Sequence, residues 1–172
     1  MTVGEYLIIF AAIMIGLAVA DLSFSLHRLL RQGRKIKWHP ILPIVGFLVL
    51  CFILNLWWGL YRVSQADEFT FLAFLPTVFL LLTLFLLAAA VFPDDKLEEG
   101  ASLLDYYLDS RKQIWGLFAL YFLVVTGARI QRALEDDWTT AQLIDGSFEN
   151  LIGAALCFGL MWTRNMIAHW FV

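Results

Sequence analysis

The stretch RLLRQGRKIK, Arg28–Lys37, decides how the rest of the chain reads. It carries Arg28, Arg31, Arg34, Lys35 and Lys37, five of the twelve lysines and arginines in 172 residues. An apolar run long enough to cross a bilayer lies on each side of it. Lysine and arginine between two spans bias a loop to the cytoplasmic face. The stretch therefore predicts both a membrane location and an orientation.

Composition points the same way. Hydrophobic residues make up 61% of the chain, and its mean hydropathy is +0.77. A soluble domain is about 45–50% apolar, and here the excess comes in long runs. A spanning helix needs about 20 such residues. Charged residues are 16% of the total and gather between the runs. A formal net charge of −3 argues against a general nucleic-acid surface. Cys51 and Cys157 both sit inside apolar runs without CxxC spacing, so they read as small packing residues. MTVGEY at the start lacks a basic n-region, so the first run reads as a permanent span rather than a cleaved signal.

Working outward from the basic stretch, five spans are expected, at about residues 6–26, 41–61, 69–92, 114–130 and 148–163. Span one carries Ala12, Gly16 and Ala20 four residues apart, a small-residue stripe that lets another helix approach closely. Gly153 and Gly159 offer the same in span five. Pro40 and Pro43 open span two, where a missing N–H costs least. Its far end holds Trp57, Trp58 and Tyr61, the residue types that anchor helices at headgroup level. Trp115 at the start of span four and Trp170 after span five read as further anchors. Pro93 stops span three ahead of the acidic patch Asp94, Asp95, Glu98 and Glu99. In residues 101–112, Leu103, Leu104, Tyr107 and Leu108 recur at helical spacing opposite Asp105, Asp109 and Lys112. That pattern predicts a short amphipathic helix lying on the membrane surface, or else the first turns of span four extended into water. Ser102 with Asp105 is a weak capping-box match.

With the N-terminus outside, the inner segments hold nine lysines and arginines and the outer segments hold three. The asymmetry favours an outside N-terminus and a cytoplasmic C-terminus. The expected fold is an all-α polytopic transmembrane bundle, one integral-membrane domain over residues 1–172.

Few residues invite chemistry. Asp21 lies in the inner half of span one, where a carboxylate costs about 2.5–3.5 kcal/mol on insertion scales. With Ser25 one turn on, it reads as an ion- or proton-binding group or as one half of a buried ion pair. Asn55, in the outer half of span two, reads as a cross-helix hydrogen bonder. His27, His39 and His169 fall at span ends beside cations, a poor setting for haem or metal. The run Asp94–Glu99 lacks calcium-loop spacing and reads as a solvated cap. GxSxG, HExxH and Walker-type patterns are absent, so no catalytic residue, metal or cofactor is expected.

The opening MTVGEYLIIFAAIMIGLAVADL, the basic turn after it, LNLWWGLY in span two and, more loosely, YYLDSRKQIWGLFAL together resemble a family of short bacterial polytopic inner-membrane proteins. The resemblance implies the bacterial inner membrane. It brings no substrate, cofactor or catalytic residue. The expected function is a non-enzymatic subunit with the lipid bilayer around it, assembling as a homo-oligomer or on a larger membrane complex. A small ion or proton channel or transporter using Asp21 and Asn55 is the alternative. A single cysteine placed at Arg34, with Cys51 and Cys157 replaced by serine, tests the orientation. It is expected to react with membrane-permeant maleimides and to resist impermeant ones in intact cells.

Overall fold

The computed structural model describes residues 3–63, 71–93, 97–135, 140–164 and His169. Among these the chain is all-helical. Five α-helices run in order, α1 Val3–Gln32, α2 Ile41–Val63, α3 Phe71–Val91, α4 Leu103–Glu135 and α5 Thr140–Trp162. A short 3-10 turn, Gly33–Lys35, follows α1. Four helices are long and apolar enough to cross a membrane, through Gly4–Lys35, Ile41–Leu60, Phe74–Val91 and Leu103–Leu134.

Three features differ from the sequence expectation. The basic stretch is not all loop, because Arg28 and Arg31 ride on the last turns of α1. The helix continues through them because Leu29 is buried there, at 1% exposure. It ends where Gly33 takes φ +53°, a left-handed conformation suited to a C-terminal cap. Residues 101–112 do not form a separate helix, since α4 runs unbroken from Leu103 to Glu135. Of the two arrangements the sequence admits, the one seen is extension of the fourth apolar helix. Its faces are as patterned: Leu103 and Tyr107 are buried, while Asp105, Asp109 and Lys112 are exposed. Finally, α5 begins at Thr140, inside the loop expected between spans four and five, and its apolar part is Ser147–Trp162. That part is about 24 Å long, short of the about 30 Å of a hydrocarbon core.

The chain divides into two compact units, residues 1–110 and 111–172. In the first, α1 packs on both α2 and α3, most extensively on α3. Phe10 meets Phe74 edge-on at 5.9 Å, near the starts of α1 and α3, so these two helices run parallel. Phe92, just past the end of α3, lies against Gly46 near the start of α2, so α2 runs antiparallel to α3. Ala11, Leu60 and Leu81 form a buried cluster where the three helices meet, with Met14, Ile15 and Leu56 around it. In the second unit, α5 folds back along α4. Gly153 faces Phe122, and Gly116 faces Met161. Lys112 lies over the Trp162 ring at 5.2 Å.

Glycine permits the tightest of these contacts. A Cβ on Gly46 would sit 2.6 Å from the Phe92 ring, which is 2% exposed and has little room to yield. Gly46→Ala is expected to destabilise the protein by about 1–3 kcal/mol through overpacking. Adding Phe92→Leu should restore part of the loss. Thermal unfolding in detergent of the two single variants and the double variant checks the coupling. Strictly additive losses would show that the two side chains do not compete for space.

Candidate functional site

Two features at the basic end of the first unit hold most of its polar chemistry. One is a backbone clasp beneath the basic turn, and the other is a polar stripe along α1.

The clasp is built on Lys37. Its N–H donates to the Ala101 carbonyl at 2.8 Å, and its carbonyl accepts from Leu103 N–H at 3.1 Å. This is a parallel bridge between two short extended segments, with Lys37 opposite Ser102. Gly100 N–H donates to the Lys35 carbonyl at 2.7 Å. Above this backbone pairing, Lys35 and Glu99 form an ion pair at 2.9 Å. Beneath it, Ile36 is buried. The Trp38 indole N–H donates to the Gly33 carbonyl at 2.7 Å and ties down the turn, leaving the ring 41% exposed. On the far sides, His39 Nδ1 accepts from Ile41 N–H at 3.3 Å at the start of α2. Ser102 Oγ accepts from Asp105 N–H at 3.4 Å at the start of α4. That supplies the serine half of the capping pattern expected there. The Tyr106 hydroxyl donates to the Ala90 carbonyl at 3.3 Å.

The stripe is Asp21, Ser25, Arg28 and Gln32. Spacings of four, three and four place all of them along one side of α1. Ser25 is 1% exposed and accepts a hydrogen bond from Arg28 Nη2 at 2.8 Å. Asp21 Oδ2 and Gln32 Oε1 are buried oxygens with no hydrogen-bond donor among the described residues. Leaving such an acceptor unmatched costs about 1–3 kcal/mol, more when charged. Asp21 and Ser25 therefore share a side of the helix, as their spacing predicts.

Other expected site residues are dispersed. Asn55 is exposed. It lies on the side of α2 opposite the buried Leu42, Val49, Ile53 and Leu60. Asn55 and Asp21 thus do not face one interior. Gly16 is exposed with open space over it, while Ala12 and Ala20 are half-buried. Gly159 also opens onto space, but Gly153 is filled against Phe122. Trp57 and Trp58 are exposed at 41% and 82%. Trp115, expected as an interfacial anchor, is 3% exposed and packs against Phe118 at 5.3 Å. Its ring is a core side chain of the second unit, because it faces the hairpin partner rather than the outside. The side chain of Tyr61, and Trp170 altogether, lie outside the described residues, as do Asp94, Asp95 and Lys96.

His169 is 7% exposed, 6.1 Å from the Trp115 ring, with Nε2 3.2 Å from the Thr163 carbonyl. Burial holds its pKa below the ordinary histidine value; the Thr163 carbonyl raises it and nearby Arg111 lowers it. No group of three or more metal-ligating side chains occurs among the described residues.

Sequence reasoning missed Trp38 and Gln32, and it read Glu99 only as part of a solvated cap rather than as the partner of Lys35. The legible signals were Gly33 and Gly100, which bracket the clasp with positive φ of +53° and +88°. No protein-family model, curated protein or solved structure matches the chain. The resemblance to a bacterial inner-membrane family gains no support from these comparisons.

The clasp makes a ranked prediction for thermal unfolding in detergent. Gly100→Ala, at the less accessible φ, should cost about 1–3 kcal/mol. Gly33→Ala, in the left-handed helical well, should cost about 1 kcal/mol. Glu99→Gln should stay within about 0.5 kcal/mol of the parent, because both partners of that ion pair are largely solvated. If Glu99→Gln were the most damaging, the ion pair rather than the backbone would be closing the clasp.

Proposed function

We propose that this chain is a non-enzymatic integral-membrane subunit that works by helix–helix assembly, as a homo-oligomer or on a larger membrane complex. In this reading α1 to α4 cross a bacterial inner membrane, with the N-terminus outside and the basic turn in the cytosol. The C-terminus joins the basic turn there where the bilayer thins to the shorter apolar part of α5.

The observation that carries the reading is Asn55. It lies fourteen residues into α2, about 21 Å from the start of that helix. At that depth it falls within the hydrocarbon layer, yet it is exposed and on the outward side of its unit. A carboxamide facing lipid lacks hydrogen-bond partners that another helix supplies. Gly16 adds support, since it is exposed and the space over it is open. Both features are what an interface in a bilayer uses, where close backbone approach and interhelical hydrogen bonds drive association.

The channel or transporter reading has one observation in its favour, the buried Asp21 Oδ2 without a donor among the described residues. The outward position of Asn55 weighs against a path that uses both residues.

Native mass spectrometry from mild detergent tests the assembly. An oligomer or a bound partner is expected for the parent. Gly16→Leu and Asn55→Leu should each weaken it while leaving the helical circular-dichroism signal intact, with Asn55→Leu losing about 1–2 kcal/mol of association. A lone monomer in native membranes and mild detergent alike would overturn the reading.

A further inference from the structure

We propose that the basic turn is a binding site for the headgroups of anionic phospholipids. Arg31, Arg34 and Lys37 would contact phosphate, and Trp38 would hold the turn at the glycerol level. The proposal rests on the membrane-crossing reading of α1 and α2 and is independent of the assembly reading.

The first support is the charge left over. Arg31, Arg34 and Lys37 are all exposed. The clasp's own carboxylate, Glu99, is engaged with Lys35 at 2.9 Å. Neither Arg31, Arg34 nor Lys37 has a salt-bridge partner among the described residues. Arg28, by contrast, is turned back onto the buried Ser25. Three cations thus point outward from a turn whose fourth and fifth are already engaged.

The second support is rigidity. The segment is fixed by the Gly33 cap, by three backbone hydrogen bonds to residues 100–103 and by the Trp38 indole on the Gly33 carbonyl. Cations on a fixed frame lose less conformational freedom on binding than cations on a floppy loop.

The third support is placement. The apolar part of α2 starts at Ile41, four residues after Lys37. The turn therefore sits at the headgroup layer rather than in bulk water. Trp38 is the residue type that settles at that level, and its half-exposed ring lies among the cations in sequence. Guanidinium groups match phosphate oxygens in a two-pronged geometry, and lysine adds a point charge. A zwitterionic lipid presents the same phosphate, but its own ammonium opposes the cationic turn. An anionic headgroup is the better electrostatic match.

The experiment uses the full-length protein in neutral detergent. Phosphatidylglycerol, phosphatidylcholine and soluble glycerol 3-phosphate are titrated separately. Native mass spectrometry counts the retained lipid, and the thermal midpoint gives a second readout. Phosphatidylglycerol should be retained and raise the midpoint, whereas phosphatidylcholine and glycerol 3-phosphate should do neither at the same concentration. The variant R31Q/R34Q/K37Q should lose affinity for phosphatidylglycerol by about fivefold per removed charge, on the order of a hundredfold in all. Its midpoint in phosphatidylcholine should match the parent's. If that variant unfolds, Arg34→Gln alone carries the test, with a loss of about fivefold. Equal responses to the two lipids, or undiminished binding by the variants, would overturn the proposal. An equal response to glycerol 3-phosphate would assign the turn to a soluble anion and overturn it as well. The same spectra report the assembly state, so loss of oligomers with lipid preference intact would count against the assembly reading alone.

Discussion

Everything at the basic end of the molecule hangs on how the backbone of Lys37 finds its hydrogen bonds. A chain leaving one long apolar helix and entering the next has polar groups that no helix satisfies. Here the N–H and carbonyl of Lys37 are both taken by the segment ahead of α4, at Ala101 and Leu103. Two segments far apart in sequence thereby complete each other. The pairing fixes where α1 ends, where α2 begins and from what point α4 departs. The basic side chains around it are displayed by this backbone frame and do little to hold it together.

The same accounting explains the hydroxyls inside the helices. Thr83 Oγ1 donates to the Phe79 carbonyl at 2.7 Å, and Thr126 Oγ1 to the Phe122 carbonyl at 2.9 Å. Each polar group is absorbed one turn back on its own helix, so it asks nothing of its surroundings. Asp21 and Gln32 differ, because each buries an oxygen that no donor among the described residues matches. Asn55 differs in the opposite sense, with its amide turned outward. The polar atoms of the helices therefore fall into those settled locally, on α3 and α4, and those on α1 and α2 that call for something more, and the second group carries the functional readings.

Packing between helices relies on glycine set against aromatic rings. Gly46 receives Phe92 in the first unit, and Gly153 receives Phe122 in the second. Where lipid offers apolar surface as readily as protein does, burial alone does not drive helices together, and close approach matters more. The helical glycines Gly16, Gly59, Gly127 and Gly159 meet no such ring and are left with open space. The division between filled and open glycines is one the sequence pattern does not reveal, since it depends on which side chain of another helix stands opposite.

The sequence by itself determined the all-helical class, four of its five expected spans as helices long enough to cross a bilayer, and the spacing that puts Asp21 and Ser25 on one side of α1. Those properties depend on hydropathy summed along a run and on a period of 3.6 residues, both of which are local. It also supplied the cap at Ser102, because a cap needs only a neighbour three residues on. Tertiary structure alone decided that Arg28 and Arg31 lie on α1, that α4 swallows the expected amphipathic helix and that Trp115 is core rather than anchor. It alone paired Lys37 with Ser102 and turned Asn55 outward. Each of these depends on which face of a helix meets a neighbour distant in sequence, and in uniformly apolar helices no periodicity marks that face.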